Sequence, residues 1–462
     1  MIESKKLEPY QEEALEALKE LVKIPSVEKP REGVWPFGKE VNDALQYMLK
    51  LGDKLGFKTK NIENYAGHIE MGEGEELLGI LVHLDVVPEG DGWKYPPYAA
   101  IEENGKLYGR GTSDNKAPAI SSLYAMKALK DLGYKFNKRI RLILGTNEET
   151  GWGGITHYLK HEEEPTLSFV PDAEFPVIYA EKGILGLKIN VNDIQDKPYR
   201  IVEFEGGTAG NVVPKQCKIV LEGKELEEIH EVLSNAKIPK GSELKMKFEE
   251  TKLSIETQGI QCHASMPEKG LNAINVMFYA LSQAPFKGKF KQFVDECNQK
   301  FGLNLHGEGL DLGYEDKETG KMTLNMGVLR LEGENINISV DIRYPIDKTQ
   351  KFMVDQIDIA LKDTVFEILS YGGEDPLFVP KDSLLVENLM EVYREITLDN
   401  ENGPITMGGG TYARAVKNAV AFGALFPGEE EIAHQVDEYI TISKFYTTMH
   451  IYAAAIEKLA VK

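Results

Sequence analysis

In the stretch VHLDVVPEGDGW, His83 and Asp85 lie two residues apart at the end of an apolar run, so on a strand their side chains share one face. That pairing suits a metal-bound imidazole whose second nitrogen is held by a carboxylate; a hydrogen-bonded structural histidine is the competing reading. In LYGRGTSDNKAP, Asp114 follows a glycine-containing turn and precedes a helix, and reads either as a ligand or as a helix N-cap. RLILGTNEETGWGG runs an apolar strand directly into Glu148 and Glu149. Adjacent carboxylates repel unless a cation or a shared proton compensates. Neighbouring side chains at a strand end point different ways, so one can face a metal and the other a water molecule; a solvated loop pair is the alternative. LSFVPDAEFP repeats the strand-to-carboxylate junction at Asp172, and His434 sits in the loop IAHQVDEYI before the last helix. Hard oxygen ligands with two imidazoles suit Zn, Mn or Co, and five protein ligands serve two ions only when one carboxylate bridges them.

Alternating strands and helices must bring these residues together. Residues 9–24 and 39–54 carry apolar side chains at helical spacing (Leu15, Leu18, Val22; Val41, Leu45, Met48, Leu51). Leu78–Val87 reads as a buried strand closed by the turn-rich Pro88–Gly92, and a helix over 116–132 and strands over 139–146 and 167–170 follow. This alternation predicts an α/β layer with a largely parallel sheet, whose ligand sites gather at the carboxyl ends of strands. Beyond about Gly183 the pattern changes to alternating strands bounded by glycines and separated by charged helices, which predicts an antiparallel α+β insert. Near Asp382 long helical spacing returns, and the first domain resumes. The expected division is therefore a catalytic domain over 1–184 and 378–462 with an inserted lid over 185–377.

A formal net charge of −21 argues against sequence-independent nucleic-acid binding and against anionic membrane surfaces. Three unpaired-looking cysteines fit a reducing compartment, and neither a secretory leader nor an apolar run long enough to span a bilayer is legible. A cytoplasmic protein is expected. Cys262–His263 might suggest a thiol dyad, but adjacent strand residues face opposite sides. His157, His161 and His450 are set aside as surface or core residues without converging partners. Trp93, Tyr95 and Tyr98 read as either cleft lining or packing.

Taken together, HLDVVPEGDGW, GRGTSDNKAP, GTNEETGW, PDAEFPVIYAEKG, QCHASMPEKGLNA, GGGTYAR and AHQVDEYI resemble the M20 family of co-catalytic metallopeptidases, most closely its PepV-type dipeptidase branch, from near residue 8 to the C-terminus. The resemblance implies that Asp114 is the bridging carboxylate, that His83 and Asp172 complete one metal site, and that Glu149 and His434 complete the other. It implies Glu148 as general base, Asp85 as the carboxylate that orients His83, and His263 as the oxyanion-stabilising residue from the insert. Asn211 and Arg343 then hold the substrate's terminal carboxylate, and Thr411 is a further contact.

The implied chemistry is hydrolysis of unblocked dipeptides by a metal-bridged water, with two divalent ions, Zn first and Mn or Co as alternatives. Arg343 suits a fixed carboxylate because its planar fork binds both oxygens. By analogy with the same branch, the long insert implies a monomer acting on small peptides. Two rival readings stay open: an N-acyl amino acid deacylase or desuccinylase of the same family, and a non-catalytic metal- or peptide-binding protein.

Overall fold

The computed structural model describes residues 1–195 and 198–461. The chain divides into two compact units: Met1–Tyr179, Phe378–Ile405 and Gly410 onward form the first, and Ala180–Leu377 with Thr406–Gly409 form the second. The turn to the inserted segment thus falls at 179/180. Residues 180–184, read from sequence with the first domain, group with the second unit, where Gly183–Val191 is one continuous strand.

In the first unit the strands Arg139–Gly145, Leu77–His83, Leu167–Val170 and Ala419–Ala421 run parallel in that spatial order. Lys58–Ile62 and Ala66–Gly72 add an antiparallel hairpin on the Arg139–Gly145 side, and Ile178–Glu181 adds antiparallel to Ala419–Ala421. Every residue of LLGILVH (77–83) is buried, as expected of a central parallel strand covered on both faces. The helices Lys116–Asp131 and Ile442–Ala460 pack on each other and on the central strands, and almost every residue of Lys116–Asp131 is buried. Glu8–Val22, Lys39–Lys54, Gly153–His161 and Leu384–Thr397 are the remaining long helices, and Lys39–Lys54 and Gly153–His161 pack on Ala66–Gly72. Each fully buried Leu, Ile or Val in this core contributes about 1.5–3 kcal/mol relative to exposure.

The strand expected over 78–87 stops at His83; three residues on, Val86 bridges to Val27 instead, its amide donating to the Ser26 carbonyl. His83 is consequently the last residue in the ladder, paired with Gly145. At that same level Gly145 has no room for a side chain: an added Cβ would lie 2.4 Å from the Tyr412 ring.

The second unit is an eight-stranded sheet in which every adjacent pair is antiparallel, ordered Glu243–Glu249, Lys252–Gln258, Gln216–Gly223, Tyr199–Gly206, Thr323–Glu332, Asn335–Tyr344, Gly183–Val191 and Glu367–Glu374. The helices Leu226–Ser234, Ala273–Leu281, Gly288–Lys300 and Gln350–Leu361 supply apolar side chains to its single core. Ala273–Leu281 starts at Asn272, whose side chain accepts from the amides of Ile274 and Asn275, an N-cap worth about 1 kcal/mol.

Candidate metal centre

His83 ends one parallel strand, and Glu148–Glu149 and Asp172 directly follow two others, while Asp114 and His434 come from longer loops. His83 Nε2 lies 2.8 Å from Asp114 Oδ1 and 3.5 Å from Asp172 Oδ1. On the other side of the same carboxylate, His434 Nε2 is 3.0 Å from Asp114 Oδ2 and 3.2 Å from Glu149. Two groups of converging ligand atoms result, His83–Asp114–Asp172 and Asp114–Glu149–His434, sharing Asp114. The two rival readings of Asp114 are thereby separated. The N-cap position of helix Lys116–Asp131 is Asn115, which makes no side-chain cap bond, so Asp114 is not spent on capping.

Charge balance in this cluster calls for a cation. Withdrawal from water, with Asp172's negative charge beside it, raises Glu148 well above the ordinary carboxylate range. Glu149 is pushed up to about 7 by burial and by Asp114, and burial also raises Asp172. Asp114 would rise for the same reason, but hydrogen bonds from His434 and His83 outweigh burial and hold it far below its usual value. Burial opposes charge on both imidazoles, yet the carboxylates win: His83 is raised well above its ordinary value and His434 to about 11. The hard-oxygen and imidazole donors of the two groups fit Zn, Mn or Co. Among the described residues, Asp85 Oδ1 is buried without a hydrogen bond and lies 3.6 Å from His83 Nδ1.

Both the backbone carbonyl and the carboxylate of Asp85 face the second ring nitrogen of His83. His83 Nδ1 lies 2.9 Å from the Asp85 backbone carbonyl and 3.6 Å from its carboxylate. The two-residue alternation of a strand applies only within the ladder, which ends at His83, before Asp85. The other oxygen of Asp85, Oδ2, accepts the Glu149 amide at 3.1 Å and so fixes the loop that presents Glu148 and Glu149. Glu148 belongs to neither ligand group and takes a 3.1 Å hydrogen bond from the Trp152 indole.

Three further residues shape the centre without having stood out in the sequence. Glu438, fully buried, accepts the amides of Gly111 (3.0 Å), Ser113 (2.8 Å) and Asp114 (3.2 Å) and pairs with Arg110 Nη1 at 2.8 Å. Arg110 in turn donates to the carbonyls of Pro88, Glu89, His434 and Gln435, so one ion pair ties together the loops that carry Asp114 and His434. Asn115 accepts the His83 amide and donates to Asp172 Oδ1 at 2.9 Å. A buried charge pair of this kind leaves only weak traces in a sequence: the Arg of GRG and the Glu of DEY are 328 residues apart.

Thr411, in the first unit, is buried, and its hydroxyl accepts the Ala413 amide as the cap of a short 3₁₀ turn. Trp93 and Tyr95 serve packing: Arg110 lies over the Trp93 ring and Tyr95 stacks on Tyr108. The other expected residues lie in the second unit. Asn211 and His263 are exposed there, on segments joined by an Ala264 amide to Asn211 carbonyl bond of 2.9 Å. His263 Nδ1 lies 2.7 Å from the Ser265 hydroxyl and 3.2 Å from the Ser265 amide. Arg343 is buried, with Nε and Nη2 forked onto Asp341 at 2.7 and 2.8 Å and Nη1 donating to the Gly408 carbonyl. One edge of its fork is therefore already committed. Cys262 donates to the Met266 carbonyl, and no thiol–imidazole pair forms with its neighbour.

The chain matches Peptidase family M20/M25/M40 over residues 79–458. It is 40% identical over 430 residues to YtjP of Bacillus subtilis strain 168, provisionally named a dipeptidase, with 92% of each chain covered. A Staphylococcus epidermidis protein with the same provisional description is 34% identical over 462 residues, covering 98% of each chain. Among solved structures, the fold is similar to the M20 family metallo-carboxypeptidase Sso-CP2 of Sulfolobus solfataricus, at 18% identity, a TM-score of 0.60 and coverage of 96% of this chain and 98% of that one. Human carnosine dipeptidase 1 is similar at 16% identity and a TM-score of 0.57, with 98% of both chains covered. With the family profile spanning most of its length and two relatives above 30% identity along nearly all of it, the chain belongs to the M20/M25/M40 peptidases and is a metallopeptidase.

Proposed function

We propose that this peptidase hydrolyses dipeptides with a free amino terminus, using two divalent cations. His83, Asp114 and Asp172 hold one ion, and Asp114, Glu149 and His434 the other. The observation that carries this reading is the division of Asp114 between the two groups, one carboxylate oxygen facing each, while the neighbouring Glu148 is left out of both. When bound, the ions acidify water and polarise the scissile carbonyl; Zn is the first candidate, with Mn and Co behind it. Glu148 takes the proton of the attacking water and delivers it to the departing amine. Its raised affinity for a proton in the metal-free centre, which burial and Asp172 cause, marks it as a group able to hold one between the two steps. Trp152 restrains its swing through the indole hydrogen bond.

From the second unit, His263 presents Nε2–H to the developing oxyanion, and Asn211 and Arg343 take the terminal carboxylate of the substrate. Ser265 holds the Nδ1 side of the His263 ring. The provisional descriptions of the relatives as dipeptidases support the substrate class. Three free cysteines support a reducing compartment, so the same reading includes a cytoplasmic monomer. No helix among the described residues is long and apolar enough to cross a membrane.

The test is amino-acid release from a free dipeptide, its N-acetylated form and a tripeptide, after chelation and after adding back Zn or Mn. Metal-restored cleavage of the free dipeptide alone is expected. Preference for the acetylated substrate would move the assignment to a deacylase.

A further inference from the structure

We propose that Glu63, His157 and His161 form an additional metal site on the first unit, one that shares no residue with the Asp114 centre and takes a borderline divalent transition-metal ion such as Zn²⁺, Ni²⁺ or Cu²⁺. From sequence the two histidines lacked converging partners; the partner comes from a hairpin 94 residues earlier. His157 and His161 are four apart on helix Gly153–His161, so their rings stand one above the other, with centroids 4.3 Å apart. Glu63 sits at the turn between Lys58–Ile62 and Ala66–Gly72, a turn held by paired Asn61–Asn64 hydrogen bonds of 2.8 Å. Its Oε2 is 2.9 Å from His157 Nε2, and one ligand atom from each of the three residues lies within 4.8 Å of the others.

The imidazoles are also prepared electronically. His161 Nδ1 is 2.9 Å from the His157 backbone carbonyl, which fixes the ring proton on Nδ1 and leaves the Nε2 lone pair for an ion. This is the outer arrangement that metal-bound histidines use to set tautomer and orientation. Tyr65 stacks on the His157 ring at 4.0 Å and restrains it from the other side. At metal–ligand distances of about 2.0–2.2 Å in tetrahedral geometry, two ligand atoms stand roughly 3.3 Å apart. The Glu63–His157 pair therefore has only to open slightly, and Glu63, with 68% of its side chain exposed, is free to move. Two neutral imidazoles and one carboxylate leave a coordination position for water and a net single positive charge, a balance acceptable at a surface. The ion would clip the helix that follows the Glu148–Glu149 loop to the edge hairpin of the sheet.

The experiment uses the full chain, loaded by dialysis against Zn²⁺, with bound zinc counted by atomic emission in the unaltered protein, His161→Ala and Glu63→Gln. His161 is exposed, so its loss should leave the fold and peptide hydrolysis unchanged. The expected result is one zinc ion per chain more in the unaltered protein than in His161→Ala, and weaker retention of that ion in Glu63→Gln. With Cu²⁺ as probe on the unaltered protein, electron paramagnetic resonance should show a two-nitrogen hyperfine pattern that is absent from His161→Ala. Equal zinc counts in all three proteins, or copper spectra that do not differ, would overturn the site. Neither readout depends on which peptide the enzyme cleaves.

Discussion

In the first unit, carboxylates and imidazoles from separate segments meet with more negative charge than they can neutralise among themselves, whereas in the second unit the candidate residues are already quiet: Arg343 is neutralised by Asp341, and His263 and Asn211 are exposed to water. The parallel sheet makes the first arrangement easy, because every strand delivers its loop to the same edge. The antiparallel sheet places residues along strands and hairpins, where a charge must find a local partner. A cluster that is unstable without a cation announces a cofactor. A set that is satisfied without one announces at most a ligand that arrives and leaves.

That contrast can be broken by substitution. Replacing Asp114 with Ala should have the largest effect, removing both ions and all turnover, since it is the only residue common to the two groups; metal analysis with a dipeptide assay checks it. Loss of a single ion would show that the groups do not share it. Glu438→Gln should lower metal affinity about 10–100-fold, as outer residues that orient ligands typically do, because its three amide contacts fix the Asp114 loop. An unchanged affinity in a metal titration would reduce the ion pair with Arg110 to a structural strut.

Metal uptake should also weaken as pH falls from 8 to 6. Glu149, raised to about 7 in the metal-free centre, is progressively protonated across that range, and a proton on it competes with the ion. Calorimetric titrations in buffers of different ionisation enthalpy should show protons released on binding; pH-independent binding would contradict the charge argument.

For the second unit, Arg343→Lys should raise KM on the order of tenfold with kcat little changed, because a point charge replaces a planar fork. A fall in stability with normal KM would assign the fork to Asp341 alone. Thr411→Ala carries the smallest expected effect, about 1 kcal/mol of stability from the lost turn cap, read by denaturant unfolding.

The loops carrying Glu148, Glu149 and Asp172, and His83 itself, were legible in the sequence because each stands at the end of an apolar run that becomes a buried strand. The parallel core and the antiparallel insert were legible for the same reason, since buried strands read as continuous apolar stretches and half-exposed ones alternate. Details set by backbone direction were not. The strand stops at His83, so the Asp85 backbone carbonyl, at 2.9 Å, comes closer to the ring than its carboxylate, at 3.6 Å. Glu438 and Arg110 were not singled out in the sequence, because burial of an ion pair depends on contacts hundreds of residues apart. His157 and His161 were passed over on the same account, their carboxylate lying on a different element.

The central claim is that Glu148 moves a proton without holding an ion. It is tested most directly by substituting Gln at position 148 and measuring turnover of a free dipeptide alongside bound metal. The account predicts that both ions of the Asp114 centre are retained while kcat falls by about 10²–10⁴. Loss of metal together with activity would make Glu148 a ligand, and near-normal turnover would remove it from the chemistry altogether.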